Sequence, residues 1–147
     1  MKNRVEVMHG VNFDVLGRRD PRHYGGMSLT ELEVRVKRFA RELGLEATFS
    51  QTNHEGEFCE SLHRAAEGAD GLLLNPGAWT HYSYAIHDAL EAVGVPKVEV
   101  HLSNVHKREE WRRRSVVSPA VDAVVAGMGA DGYRVALDHI LSRSGRQ

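Results

Sequence analysis

Glu99 and His101 close a short apolar run at 97–101 and stand two residues apart. In an extended strand that spacing places both side chains on one face. A carboxylate so placed can orient an imidazole and support its charged form, the arrangement of a general acid. Other polar groups follow other apolar runs: Asn12 after 5–8, Asn53 and His54 after 47–51, and Asn75 after 71–74. Taken singly, each has a plainer account, since a strand-end histidine or asparagine is commonly structural. The chemical reading requires that the fold bring these ends together.

The elements that would do so alternate along the chain. Apolar runs at 5–8, 47–51, 71–74, 97–101 and 123–126 read as strands, separated by segments of helical period, a pattern that predicts an α/β domain with a parallel sheet. Ser28 and Glu31 have capping-box spacing, and Leu32, Val36, Phe39, Ala40 and Leu43 make one apolar stripe that ends at Gly44. Weaker helical patterns occupy about 57–66 and 83–93, and Tyr133, Ala136, Leu137, Ile140 and Leu141 suggest a closing helix before a frayed tail at 142–147. Right-handed crossovers over strands of this length favour a flavodoxin-like three-layer sandwich with a five-stranded parallel sheet in the order 2-1-3-4-5. Ligands of such sheets bind beyond the carboxyl ends of the strands, where Asn12, Asn53, His54, Asn75 and His101 fall.

A chain of 147 residues, 41% hydrophobic and 27% charged, suits one domain over 1–147 with its own core. The formal charge of -1, from 19 basic and 20 acidic residues, gives no global field for nucleic acid or an anionic membrane. With no apolar run near the roughly 20 residues that cross a bilayer and no signal-peptide pattern at the start, a cytoplasmic protein is expected. The single cysteine, Cys59, excludes an internal disulfide and a cysteine-built zinc site. Five basic residues in 107–114 could suggest phosphate binding, although a solvated loop explains them as well.

Four spaced motifs, in register, resemble one family. They are His-Gly-Val-Asn-Phe-Asp-Val-Leu-Gly-Arg-Arg-Asp-Pro-Arg-His-Tyr-Gly at 9–25, Gln-Thr-Asn-His-Glu-Gly-Glu at 51–57, Asn-Pro-Gly-Ala-Trp-Thr-His at 75–81, and Glu-Val-His-Leu-Ser-Asn-Val-His-Lys-Arg-Glu at 99–109. The match continues through 111–115 and 127–133, and it is to the type II 3-dehydroquinate dehydratases. That resemblance implies a lyase that removes water from 3-dehydroquinate by anti-elimination through an enolate, without metal or cofactor. By matching position it makes Tyr24 the base, with Arg19 beside it on a lid at 18–25 and Arg108 adding to the same field. A free tyrosine ionises near a pH of about 10, so such a base needs a guanidinium neighbour. The resemblance makes His101 the acid, oriented by Glu99, and gives Asn12 a water or the developing enolate oxygen. Asn75, His81 and Asp88 would address ring hydroxyls, the Leu102–Ser103 segment the carboxylate, and Arg112 a further polar contact. Read without the family, Asp88 is as readily a solvated helix residue and Tyr24 a loop aromatic.

The resemblance further implies a homo-oligomer, a dodecamer built as a tetramer of trimers, serving aromatic biosynthesis by the shikimate route or the catabolism of quinate. The chain departs from the family's usual Asn-Gly-Pro-Asn at 9–12, where it has His9-Gly10-Val11-Asn12, and also at Asp14, Tyr84 and His87. Losing the proline should loosen the backbone before Asn12, and His9 should add a titratable group near the site. Two other readings stand beside this one. A metal-dependent hydrolase or lyase would use some of the nine histidines, His81, His87, His101 and His106 among them, yet no strong ligand spacing supports it. A non-catalytic flavodoxin-like paralogue would keep the pocket, bind a small carboxylate or act in assembly, and lack turnover.

Overall fold

The computed structural model describes residues 3–144. Five parallel strands, β1 (Arg4–His9), β2 (Glu46–Gln51), β3 (Gly71–Asn75), β4 (Lys97–His101) and β5 (Ala123–Ala126), form one sheet in the order β2-β1-β3-β4-β5. This is the expected flavodoxin-like order. Helices α2 (Leu29–Glu42) and α5 (Asp131–Arg143) pack with Val5, Val7, Leu73, Val98 and Val100 on one side of the sheet. Helices α3 (Glu55–Gly68) and α4 (Tyr84–Glu91) pack with Met8, Leu72 and Leu74 on the other. The three layers follow from strand alternation: in the fully buried β3, Leu72 and Leu74 point one way and Leu73 the other, so both faces need cover.

Helix α2 bears out the capping signal, for the Ser28 side chain accepts from the Glu31 backbone while Glu31 reaches back to the Ser28 N–H. Helix α3 runs two residues further at each end than the periodicity suggests. Helix α4 is shorter, with Ser83 outside it as the cap that accepts from Ile86 N–H. The closing helix α5 includes Ser142 and Arg143, which were expected to belong to a frayed tail, and residues 145–147 of that tail lie outside the described residues. A four-residue helix, α1 (Pro21–Tyr24), was not anticipated. Asp20 caps it by accepting from Arg22 N–H, and Pro21 stands at its first turn, where a missing N–H costs nothing.

Register aligns the carboxyl ends of the strands, pairing His9 with Gln51 on one side and Asn75 on the other. There the backbone at Gly10 donates to the Asn75 carbonyl at 2.8 Å, and a Cβ at Gly10 would come within 2.6 Å of the Pro76 oxygen. Only glycine allows that approach. The turn that follows is held without the family's proline. Gln51 donates to the Gly10 carbonyl at 3.1 Å, and Asn53 accepts from Asn12 N–H at 2.8 Å, fixing Asn12 at a left-handed φ of 70°. The expected loosening is offset by these two side chains from the end of β2.

Candidate active site

Beyond β3 and β4 lies a cleft whose lining includes Phe13, Arg19, Tyr24, Asn75, His81, His101, Leu102, Ser103, Arg108 and Arg112. Eight of these are residues that the sequence reading had singled out by type, spacing or resemblance, together with the supporting Arg108. Glu99 stands behind His101 rather than in the lining.

Tyr24 ends α1 and is buried. Its hydroxyl oxygen receives one hydrogen bond from Arg19 at 2.6 Å and another from Arg108 at 2.8 Å. The Arg19 guanidinium also lies over the Tyr24 ring, 3.9 Å from its centre. Two cationic donors on one phenolic oxygen stabilise negative charge there by both charge and hydrogen bonding. Burial pulls the Arg19 pKa down; the phenolic oxygen opposes that shift, and Arg108 and Arg112 add to it. Three guanidinium groups around one narrow cleft form a field suited to an anion. Arg108 also donates to the Ser103 hydroxyl at 3.1 Å, while its Nε is buried without a partner. Such a donor, next to a hydroxyl, is fit to meet a carboxylate.

On the opposite wall, His101 lines the cleft and directs Nε2 at the Glu99 carboxylate. Glu99 is fully buried. Burial pushes its pKa up, yet hydrogen bonding from His101, the imidazole charge, and hydroxyl donors on Ser118 and Thr80 outweigh that, so the carboxyl ionises below its ordinary range. His81 is held by Nδ1, which donates to the Arg114 carbonyl at 2.7 Å, and its ring meets Trp111 edge-on at 5.1 Å. Burial holds the His81 pKa down. A neutral ring in this tautomer offers Nε2 as an acceptor for a ligand hydroxyl. Asn75 spends its oxygen on Gly77 N–H at 3.1 Å and has an amide nitrogen 3.4 Å from the Tyr133 hydroxyl. Arg112 is set by Glu109, to which its Nε donates at 2.8 Å.

Two candidates are not brought into the lining. Asn12 is exposed, one residue before the lining Phe13, because the left-handed turn gives the inward direction to the aromatic ring. Asp88 is exposed on α4, grouped with His87 and Glu91, since its helix packs the Ile86, Ala89 and Leu90 face inward. His87 bonds the Val116 carbonyl through Nδ1 at 2.7 Å, which leaves Nε2 3.3 Å from Glu91. His81 and His101 share the cleft, but among the described residues the one set of three His, Cys, Asp or Glu ligand atoms close enough to share an ion is that of His87, Asp88 and Glu91 on α4. Of the basic run at 107–114, Arg108 and Arg112 turn toward the cleft, and Lys107, Arg113 and Arg114 are exposed.

Sequence reasoning missed Thr80 and Ser118, whose hydroxyls donate to Glu99, and Ser115, whose hydroxyl meets that of Thr80. Thr80 and Ser115 sit inside motifs already noted, but their partner lies too far along the chain for spacing to reveal it. His9 is wholly buried between Phe13 and Phe49, its Nε2 at 3.0 Å from Glu33 without hydrogen-bond alignment. A roomier groove of about 350 Å³ between β1, β2 and α3 has Glu6 and Thr48 bonded to each other and no comparable acid and base aimed into it.

The family described as Dehydroquinase class II matches residues 3–141. A 3-dehydroquinate dehydratase of Thermotoga maritima is 50% identical over 137 residues, covering 93% of this chain and 94% of the relative. One from Pelotomaculum thermopropionicum is 48% identical over 134 residues, covering 91% and 93%. Among solved structures, the type II dehydroquinase from Propionibacterium acnes superposes with a TM-score of 0.92 at 40% identity, covering 97% of this chain and 98% of that one.

Proposed function

The chain belongs to the class II dehydroquinases, and from that premise we infer that it is a hydro-lyase converting 3-dehydroquinate to 3-dehydroshikimate, with Tyr24 and His101 as base and acid. The observation that carries the assignment of roles is the placement of a phenolic oxygen under two guanidinium donors in the same cleft as a carboxylate-backed imidazole. The base removes a proton from C2, adjacent to the C3 ketone, and the electron pair moves into the enolate. Collapse of the enolate forms the C1–C2 double bond and expels the C1 hydroxyl, which takes a proton from His101 and leaves as water. Tyr24 ends protonated and His101 neutral, and solvent exchange resets both. Charge develops on the C3 oxygen in the first step, and Asn12 meets it through a bridging water from its exposed position beside the cleft. Ser103 and Arg108 receive the carboxylate, and Asn75, His81 and Arg112 receive ring hydroxyls. Asp88 has no such contact within one chain.

All acid–base chemistry in this scheme comes from side chains, so neither metal nor cofactor is required. The alternative of a non-catalytic paralogue finds no support in a site whose proposed base, acid and orienting carboxylate are all in place. The same reaction serves aromatic biosynthesis through the shikimate pathway or quinate catabolism. Among the described residues no helix is long and apolar enough to cross a membrane. A cytoplasmic homo-oligomer, a dodecamer of four trimers, completes the reading, and the exposed Tyr82, Tyr84 and Trp111 supply apolar surface for such contacts. Light scattering reads the assembly.

The deciding experiment incubates the purified protein with 3-dehydroquinate and a chelator and follows the ultraviolet absorbance of the conjugated enone. Steady growth of that band is expected. A folded protein that gives none overturns the assignment, and activity lost only on chelation overturns the metal-free scheme.

A further inference from the structure

Glu99 has no contact with solvent, and a carboxylate in that position is stable only if its oxygens are met by donors. Its Oε2 receives the Thr80 hydroxyl at 2.6 Å as well as His101 Nε2, and its Oε1 receives the Ser118 hydroxyl at 2.7 Å. Behind Thr80 stands Ser115, with the two hydroxyl oxygens 2.6 Å apart. Thr80 has one hydroxyl proton and gives it to Glu99, so Ser115 must be the donor in that pair or to the Thr80 carbonyl at 3.1 Å. Ser115 in turn accepts from two backbone N–H groups, Val117 at 3.2 Å and Ser118 at 2.9 Å. With the Ser115 proton on the shorter of these two contacts, the Thr80 hydroxyl, every bond points the same way, from backbone N–H through Ser115 and Thr80 to the carboxylate. The chain joins three separate segments: Thr80 lies on the 3-10 helix Gly77–His81, Ser115 and Ser118 lie beyond the 3-10 helix Glu110–Arg113, and Glu99 lies in β4. A further bond from Val116 N–H to the Thr80 carbonyl at 2.8 Å holds the first two together.

We propose that Thr80, Ser115 and Ser118 are positioning residues for the reaction, a one-way hydroxyl chain that fixes Glu99 as an ionised acceptor and, through it, the direction and charge of the His101 imidazole. The proposal rests on the reading of His101 as the acid. A protonated Glu99 would present an O–H where three groups now donate, so one of the bonds from Thr80, Ser118 or His101 would have to reverse or be lost. The arrangement thus favours an ionised Glu99 with a charged imidazole over the neutral Glu99–His101 pair, in which the imidazole is a far weaker acid toward the leaving hydroxyl. The titratable groups facing Glu99 are His101 on its own strand and His81 on the Gly77–His81 helix, with Arg112 beyond His81. The 115–118 segment contributes hydroxyl and backbone donors to this network.

The test compares Thr80→Val, Ser118→Ala and Thr80→Ser with the unaltered enzyme by the dependence of kcat on pH, with His101→Ala measured alongside. Removing a donor destabilises the charged form of Glu99 and raises its pKa, so the acid limb of the profile should move to higher pH in Thr80→Val and Ser118→Ala. Each should lower kcat about tenfold while leaving KM within about threefold. Thr80→Ser, which keeps the donor, should recover most of the rate and the position of the limb. Imidazole nitrogen shifts in isotopically labelled protein report the His101 tautomer and charge without reference to turnover. They should change in both donor-removing variants, and if Thr80→Val fails to fold, Ser118→Ala alone decides. The proposal is overturned if folded donor-removing variants keep the original acid limb and His101 signals, or if Thr80→Ser loses as much as Thr80→Val. Full turnover in His101→Ala sinks the acid assignment itself, whereas loss there with normal Thr80→Val and Ser118→Ala sinks the hydroxyl chain alone.

Discussion

The Arg108 guanidinium reaches the Tyr24 hydroxyl at 2.8 Å although 84 residues separate them in the chain. Arg19, five residues from Tyr24, reaches the same oxygen at 2.6 Å. One donor rides on the segment that includes the base; the other is fixed to the body of the domain beyond β4. Arg108 therefore defines where Tyr24 stops, and it also holds Ser103. Replacing Arg108 by Met, which keeps the stem and removes the charge, should lower kcat by about 10²-fold or more and raise KM as well, since a carboxylate partner is lost. Steady-state kinetics separate the two effects. A variant with altered KM and normal kcat would show that Arg108 binds substrate without acting on the base.

The base itself is tested by Tyr24→Phe, which removes one oxygen and leaves the ring under Arg19. Turnover should fall to near background with substrate affinity changed by less than about tenfold, while His101→Ala should cost about 10² to 10⁴ in kcat. Equilibrium binding of the ligand to the inactive variants checks that the cleft survives. Near-normal turnover in either variant removes that residue from its role.

Much of this architecture is legible in the sequence, for reasons that differ between its parts. The order of the sheet follows from five apolar runs with helical segments between them, and α2 announces itself through Ser28, Glu31 and a single stripe of buried side chains. Helix α1 does not, because four residues are too few to show a period; its signals are Asp20 as cap and Pro21 at the first turn. Glu99 and His101 are paired by local spacing, so their relationship can be read directly. Thr80 and Glu99 are joined only because β3 and β4 are neighbours, which spacing along the chain cannot convey. The family resemblance named Tyr24 and Arg19, whereas the contribution of Asn53 to the turn at Asn12 appears only when β2 lies beside β1.

Glu99 also links the site to the pH dependence of folding. Its carboxyl ionises more readily in the fold than at its ordinary value of 4.5, because donor bonds outweigh burial. A group lowered in this way contributes stability that is present above its unfolded pKa and is lost as the pH falls through the folded pKa. Denaturant unfolding at a series of pH values should show stability declining below about pH 4.5, and Glu99→Gln should reduce the Glu99 part of that decline. At neutral pH the same variant should be less stable by about 3 kcal/mol, since a part-buried imidazole and two hydroxyls lose their charged acceptor. An unchanged slope would show that other carboxylates govern the acid limb of stability.

His9 makes the opposite case. Its side chain is fully buried, Nδ1 has no partner, and Nε2 lies near Glu33 without hydrogen-bond alignment. A polar ring held between Phe13 and Phe49 contributes packing but gains little from its nitrogens. His9→Leu, of similar bulk and without polar atoms, should be neutral or stabilising by up to about 1 kcal/mol, with Glu33 remaining partly solvated. Thermal unfolding measures this, and a fall of several degrees would mean that the imidazole is bound more firmly than these contacts indicate.

The cleft in its present form is too small for the substrate it is assigned. Its volume is about 20 Å³, far below the roughly 300 Å³ at which small-molecule clefts begin. Arg19 stacked on Tyr24 occupies the space, so the 18–25 segment has to swing outward for a ring to enter. Gly25 and Gly26 stand at the end of that segment at φ values of 76° and 74°, which side chains seldom adopt, and are the place where the backbone can turn for such a movement. Trypsin cleaves after Arg18, Arg19 and Arg22, and when opening is fast compared with cleavage its rate follows the population of the open form. Saturating quinate, which shares the ring and carboxylate of the substrate, should bridge to Arg19 and slow cleavage in this segment about tenfold, with little change at exposed sites elsewhere such as Arg143. Equal cleavage with and without quinate, at concentrations that inhibit turnover, would show that the segment does not close over the ligand and that Arg19 acts from a fixed position.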